Sequence, residues 1–350
     1  MNLDDVSAIG KVDRSGMLAV MDRTPERLAP PLDAPSTLGE HIERPDNLVF
    51  GGIGGSGIIG DIITDYLKVV GDIPVSTCRS IHLPAYVGKG TLFVAISYSG
   101  ETSETLSLLD QAVREKARVV TVGSGGRLLK QSKQNKIGYL KVPEGLLPRV
   151  ALPELLAATM FVMGWAGLIE DTRKILRDAS ETLGAQIREI RPSAPVQENK
   201  AKQIAEAMLG RLPLLLGSED AGSALRRFKN ELNENSKMPA FCYTLPEGYH
   251  DDVEGLKMLS KLAHPQPIFL RDKDESDGQR RTREQLYHLF TELGVQPVLE
   301  IEGVGQDRLQ RLLTAVMLGD YVSVYLALLR GVDPSELTLI PRFREAARGG

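Results

Sequence analysis

The sequence predicts an α/β protein built from two doubly wound parallel sheets with extra helices. Three observations point there. Short apolar runs that stop at glycine or a hydroxyl residue alternate with stretches of helical spacing. The runs read as buried strands, as in a parallel sheet covered on both faces. The alternation occurs twice, once up to about residue 142 and again from residue 212, with helical sequence between. Two halves on one plan suggest duplication.

Residues 1 to about 45 read as a helical preamble broken by the proline cluster in ERLAPPLDAPS, with a short helix expected over residues 38–44. NLVF from Asn47 is the first strand. GGIGGSG over residues 51–57 is a glycine loop, and IIGDIITDYLKVV is the helix after it. Residues 73–78 form a second strand that ends at Arg79. TLFVAISYSG is a third strand and loop, and ETSETLSLLDQAVREKA is its helix, with acidic and hydroxyl residues in the first turn. RVVTVGSGG gives a fourth strand and loop, and a fifth strand starts at Tyr139.

From Leu152 to Lys202 the pattern is helical, and Trp165 is expected in the core. The second alternation then runs: strand LPLLLGS, helix SALRRFKNELNENS, strand AFCYTL, loop PEGYHDDVEG, strand QPIFLRD, helix REQLYHLFTELG, strand PVLEIEG. A long apolar helix containing LLTAVMLGDYVSVYLALL closes the series, ended by Gly331. Asp320 sits in its middle and Arg311 and Arg330 flank it, so it reads as a buried helix and not a membrane anchor.

The composition is that of an ordinary globular protein: 42% hydrophobic and 25% charged over 350 residues. A net charge of -4 offers no basic field, so nucleic acid is not an expected partner. Two cysteines, Cys78 and Cys242, exclude a disulfide framework and fit a reducing cytoplasm. The acidic N-terminus lacks an apolar segment, so no signal peptide and no membrane association are expected.

Two loops carry the functional signal. Gly52-Ile-Gly54-Gly55-Ser56-Gly57 matches G-x-G-x-x-G between a strand and a helix, which raises a dinucleotide site. Arg79, at the end of the second strand, stands where such a site holds the ribose and could accept the 2′-phosphate of NADP. The third strand argues otherwise. Ser97, Ser99 and Thr102 enter a helix there, and hydroxyls with free N–H groups at a helix N-terminus make an anion cradle. Ser56 adds a hydroxyl from the neighbouring strand end. Two such loops converging on one ligand favour a sugar phosphate over a dinucleotide. The second half has no GGSG counterpart, so the phosphate role is expected only in the first.

The densest polar stretch is FKNELNENSKMPAFCYTLPEGYHDDVEG, residues 228–255. GGIGGSG and SYSGETSET together resemble the sugar isomerase (SIS) domain. With NELNENSKMPAF and PEGYH, the chain from about 40 to 345 resembles the bifunctional phosphoglucose/phosphomannose isomerase family. The resemblance implies two SIS-type units, flavodoxin-like three-layer αβα sheets. They are placed at residues 36–170 and 201–350, after an N-terminal helical segment 1–35 and around a helical linker 171–200. It implies an isomerase that interconverts glucose 6-phosphate, and mannose 6-phosphate, with fructose 6-phosphate through an enediol, without cofactor or metal. Gly54, Gly55, Ser56, Ser97, Ser99 and Thr102 would bind the phosphorylated substrate.

Aldose–ketose isomerisation needs a base that carries a proton between C2 and C1, and a carboxylate suits this. By resemblance Glu234 is that base, with Asn233 and Asn235 placed to orient it. Glu231, about one turn earlier, is the rival. His250 is implied in ring opening, and in a homodimer it would serve the partner subunit's site. His41, His82, His264 and His288 lack such context. Arg149 matches the family's active-site arginine, a fixed cation for the charge on an enediol oxygen. Two departures stand out. Tyr249 and Asp251 flank His250 where the family has asparagines, and Arg344 stands where it has a lysine. An arginine hardly gives up a proton. Thr338 lies near the threonine linked to mannose 6-phosphate. The alternatives are a non-catalytic sugar-phosphate-binding regulator on the same fold, and an NADP enzyme.

Overall fold

The computed structural model describes residues 1–29, 38–39 and 42–348. The chain opens with three short helices, α1 (Val6–Val12), α2 (Met17–Asp22) and α3 (Thr24–Leu28). The proline cluster and His41 lie outside the described residues. So does part of the helix expected over 38–44, and residues 42–45 are irregular.

The first sheet unit runs β1 (Asn47–Gly51), α4 (Gly55–Val70), β2 (Val75–Cys78), β3 (Thr91–Ile96), α5 (Ser103–Arg114), β4 (Arg118–Gly123), α6 (Gly126–Gln134) and β5 (Gly138–Lys141). Its order is β2-β1-β3-β4-β5, every pair parallel. All six residues of β3 are buried, as the central strand of a sheet with helices on both faces requires. The helical interval holds α7 (Leu152–Trp165), α8 (Thr172–Ile190) and α9 (Lys200–Met208). Trp165 ends α7 half-buried, packed on the edge of the core and not within it.

The second unit runs β6 (Leu212–Ser218), α10 (Gly222–Glu234), β7 (Phe241–Leu245), α11 (Asp252–Leu262), β8 (Pro265–Arg271), α12 (Asp277–Glu292), β9 (Leu299–Glu302), α13 (Arg308–Leu329) and α14 (Leu339–Arg348). Its order, β7-β6-β8-β9, is again wholly parallel. Strand for strand this repeats β2-β1-β3-β4, so the duplicated plan holds at the level of topology. In each unit the chain reverses direction across the sheet beside the first strand, between β1 and β3 and between β6 and β8. Ligands in open α/β sheets sit at the carboxyl ends of strands at such a point.

The long helix α13 ties the units together. It packs against α8, α9 and α10, and residues 309–328 are all buried. By length and composition it could cross a membrane, but 89% of its apolar window is buried inside the protein. It is the core helix its central aspartate suggested.

One further contact fixes the site. Asp65 of α4 accepts from the Ser223 N–H at 2.7 Å, capping the first turn of α10 from the other unit. The residue preceding α10, Ala221, has no side chain able to do this. Burial pushes the Asp65 carboxyl above the usual carboxylate range, against its bonds to Ser223 and Lys68.

Candidate active site

The two hydroxyl loops are built as one piece. β1 delivers the chain to Gly54, whose φ of +58° suits glycine, and α4 starts at once from Gly55. A Cβ on Gly57 would lie 2.6 Å from the Gly52 carbonyl oxygen, so the loop closes only with glycine there. Ser56 Oγ accepts from the Tyr98 N–H at 3.1 Å, which locks the glycine loop to the loop after β3. In that second loop Ser97 is buried. Its hydroxyl lies 3.1 Å from Thr102 Oγ1 and accepts from the Gly100 N–H at 3.2 Å. Ser99 is exposed, and its Oγ accepts from the Glu101 N–H at 3.2 Å. Gly100, at φ +67°, brings the loop against Gly125: a Cβ there would stand 1.9 Å from the Gly125 oxygen.

Ile53, Ser99 and Thr102 form one side of a cleft of about 900 Å³, and Arg342, Phe343 and Arg344 of α14 form the other. The first turn of α5 opens into it through Ser103 and Glu104, and the N–H groups of such a turn lack helical partners and attract anions. A cleft of this size suits a small-molecule ligand. Arg79 is used elsewhere. It donates to the Gly57 carbonyl at 2.8 Å and pairs with Asp61, so it serves the glycine loop and not a ribose phosphate.

Arg149 reaches the glycine loop from another side. A Cβ on Gly55 would lie 3.9 Å from the Arg149 Cα and 3.9 Å from Arg227 Nη1. Arg149 sits in a 3-10 turn, Pro148–Val150, just before α7, and is 4% exposed. The N-terminal segment holds that turn: Arg27 of α3 donates to the Val150 carbonyl and pairs with Glu154. The Arg149 guanidinium donates from Nε to Asn235 Oδ1 at 2.7 Å and from Nη2 to the Pro334 carbonyl at 2.6 Å. Its Nη1 lies 3.6 Å from Glu234 Oε2.

Glu234 is the last residue of α10, its side chain 30% exposed. Glu231 is 3% exposed, with Oε1 on Arg227 at 2.9 Å and Oε2 accepting from Asn235 at 2.9 Å. Burial pushes its carboxyl above the usual range, against the pull of Arg227. Of the two rivals, only Glu234 has a carboxylate open to a ligand. The expected orienting amides behave differently. Asn233 is exposed and donates to the Lys229 carbonyl, while Asn235 is buried and holds Arg149. Arginine, not asparagine, stands beside Glu234.

Lys237 was not singled out in the sequence. Its Nζ donates to the carbonyls of Glu234 (2.9 Å), Asn235 (3.1 Å) and Asp333 (2.9 Å), and burial followed by Arg149 lowers its pKa. It caps the end of α10 and, with Arg149, anchors the turn that leads to α14. Arg227 and Asp320 were also missed. Arg227 donates to Asp320 at 3.0 and 2.9 Å and to the Arg149 carbonyl at 2.6 Å, all buried. The one available signal was a lone aspartate in the most apolar run of the chain.

His250 is exposed on the turn after β7. Its ring lies 4.3 Å from that of Tyr249, and its side chain has no hydrogen bond or ion pair among the described residues. It is not brought to Glu234 by any contact within the chain. Arg344 is exposed but lines the cleft with Ser99 and Thr102, and Thr338 is exposed just before α14. A smaller cavity of about 270 Å³ lies at the carboxyl ends of β6 and β8. The arginines lining it are paired, Arg308 with Asp272 and Arg283 with Glu275.

Two family models match the chain: the SIS domain over residues 41–161, and the bacterial phospho-glucose isomerase C-terminal SIS domain over residues 197–346. Together with the paired parallel sheets they make this an α/β protein of the SIS class. The chain is 32% identical over 305 residues to a bifunctional phosphoglucose/phosphomannose isomerase of Aquifex aeolicus, covering 85% of this chain and 89% of that one. It is 30% identical over 296 residues to the protein of the same name from Caldicellulosiruptor bescii, covering 84% and 87%. The chain belongs to the bifunctional phosphoglucose/phosphomannose isomerase family. Its fold is similar to the solved structure of a glucose-6-phosphate isomerase-like protein from Thermus thermophilus, with a TM-score of 0.66 at 19% identity, covering 99% of both chains.

Proposed function

We propose that this enzyme is an aldose–ketose isomerase that interconverts glucose 6-phosphate, and mannose 6-phosphate, with fructose 6-phosphate. The observation that carries the reading is a partly exposed carboxylate, Glu234, held 3.6 Å from the buried guanidinium of Arg149, where Arg149 abuts the glycine loop. The phosphate is taken by the hydroxyls and N–H groups of residues 54–56 and 97–102 at the N-termini of α4 and α5. Glu234 then removes a proton from C2 and returns it to C1. The enediol intermediate places negative charge on oxygen, and Arg149 is the fixed cation that offsets it. No cofactor or metal takes part in these steps.

Ring opening is assigned to His250, supplied by the second subunit of a homodimer. Its exposure and the lack of a contact to Glu234 within the chain support that placement. Arg344, on the cleft wall, donates hydrogen bonds to the sugar and does not act as an acid. The SIS units are placed at 36–170 and 201–350 and the protein in the cytoplasm. The test is a coupled assay with each aldose phosphate in the presence of EDTA, with proton exchange from solvent followed at C1 and C2. Turnover under those conditions supports the reading, and none with either sugar defeats it.

A second reading is a sugar-phosphate sensor without catalysis, favoured by Arg344 and by the Tyr249 and Asp251 neighbours of His250. It is identified by binding of fructose 6-phosphate with no exchange at C1 or C2.

A further inference from the structure

Asp320 lies at the centre of α13 among residues that are otherwise almost all apolar, and it is 5% exposed. Burying a carboxylate costs several kcal/mol, and replacing a buried ion pair by hydrocarbon is often neutral or stabilising. Stability alone is therefore a poor reason for its presence. Its bonds suggest another. Both carboxylate oxygens accept from Arg227, at 3.0 and 2.9 Å. Arg227 in turn donates to the main-chain oxygen of Arg149 and pairs with Glu231 at 2.9 Å. Glu231 accepts from Asn235, and Asn235 accepts from the Arg149 side chain. Ser323, one turn along α13 from Asp320, is 2.9 Å from Asn235 Nδ2 and donates to the Asp320 carbonyl. Arg149 is thus gripped at its backbone and at its guanidinium by one closed ring of buried groups, and Asp320 anchors that ring to the core helix.

We infer that Asp320, acting through Arg227, is a positioning residue that sets where the Arg149 guanidinium stands beside Glu234. This rests on the isomerase reading and extends it to groups that touch no substrate. A forked guanidinium held on two oxygens has one geometry, whereas a lysine or an amide in either place would leave it slack. The consequence is specific. Asp320 should matter to the charged intermediate, which needs Arg149, and not to the phosphate, which is held by other loops.

The experiment compares wild type, Asp320→Asn, Arg149→Lys and the double variant. It measures kcat and KM for fructose 6-phosphate, calorimetric Kd for fructose 6-phosphate and for an aldonic acid phosphate whose carboxylate mimics the enediolate, and Tm. Asp320→Asn should lower kcat and weaken the acid analogue by about tenfold to a hundredfold, as expected of a misplaced catalytic group, with the fructose 6-phosphate KM and Kd within about twofold. In the Arg149→Lys background the same change should cost little more, because both act through one group. Additive costs, an unchanged kcat, or equal weakening of both ligands would overturn the inference. If Asp320→Asn does not fold, Arg227→Lys enters the same cycle. Wild type that turns over while the costs add refutes this inference alone. Wild type that neither turns over nor binds the analogue refutes the isomerase reading, and the positioning role with it.

Discussion

One arginine reads two consecutive residues at the end of α10: Arg149 donates from Nε to Asn235 at 2.7 Å and holds Nη1 3.6 Å from Glu234. The first contact is a hydrogen bond between buried groups, and the second is a charge contact with a partly exposed carboxylate. Asn235 therefore fixes the arginine, and the arginine faces Glu234. A glutamate at a helix C-terminus is also in the wrong place for stability, by about 0.3–1 kcal/mol, because the macrodipole is negative there. Lys237, capping the same carbonyls, offsets part of that. A residue kept where its own helix disfavours it is better explained by chemistry than by folding.

Glu234→Gln should remove the base and leave the fold. The expected result is a loss of isomerisation by at least about a hundredfold, in the usual range for removal of a general base. Fructose 6-phosphate binding by calorimetry should stay close to wild type, since the phosphate loops are untouched. A variant with a near-normal rate would pass the base to another residue. Glu231→Gln then becomes the control, for Glu231 has no exposed carboxylate to offer.

Asp65→Ala tests the link between the two sheet units. It strips the cap from α10, whose preceding residue, Ala221, cannot replace it. The expected cost is about 1–2 kcal/mol, as for other N-cap losses, read from denaturant unfolding. Because α10 ends at Glu234, kcat should fall as well, with KM for the sugar phosphate less affected. Asp65→Asn, which keeps an acceptor oxygen, should recover part of both. An unchanged stability in Asp65→Ala would mean that the cap carries no weight.

Much of this was legible in the sequence, and the misses have physical reasons. The strands of both sheets were visible because buried parallel strands are short apolar runs closed by glycine or polar residues. The sequence pattern assigns no helix over α6 or α11, and the start of α11, within PEGYHDDVEG, reads as loop. α6 opens on Gly125 and Gly126 and is mostly polar, and α11 is interrupted by Gly255 and has a single buried residue, Leu256. Neither shows a broad apolar face. The hydroxyl loops stood out by residue type and spacing, and the family resemblance pointed to Glu234 and Arg149. The link from Arg227 to Asp320 did not stand out, because it depends on α10 and α13 lying side by side, a contact between positions 93 residues apart, and Glu231 read only as a rival base. The role given to Asn233 failed for a simpler reason: it faces solvent from a helix, and sequence adjacency to Glu234 says nothing about facing it.

The buried carboxyls make a prediction about pH. Burial raises Glu231 in the folded protein above its unfolded value. Above the ordinary carboxylate range the unfolded chain has released this proton while the native state still holds it. The native state then binds more protons, so stability falls as pH rises through that window. Glu231→Gln has no proton to release. Its Tm should fall less than that of wild type between about pH 5 and about pH 8, measured by calorimetry in matched salt. An equal or steeper fall in the variant would show that Glu231 is ionised throughout in the folded state.

The exposed His250 gives the sharpest test of assembly. Its imidazole has no bond within the chain among the described residues, and the proposed reading has a second subunit bring it to the site. In a twofold dimer each site would then combine Glu234 of one protomer with His250 of its partner. Glu234→Gln and His250→Gln should each be inactive on the closed-ring sugar when pure. Mixed, unfolded and reassembled together, they should form some dimers with one intact site, and at equal proportions about a quarter of the wild-type rate should return. Complementation of that size, appearing only after subunit exchange, would place the histidine across the interface. No recovery, with heterodimers confirmed by mass spectrometry, would put His250 in its own subunit's site or outside the chemistry altogether.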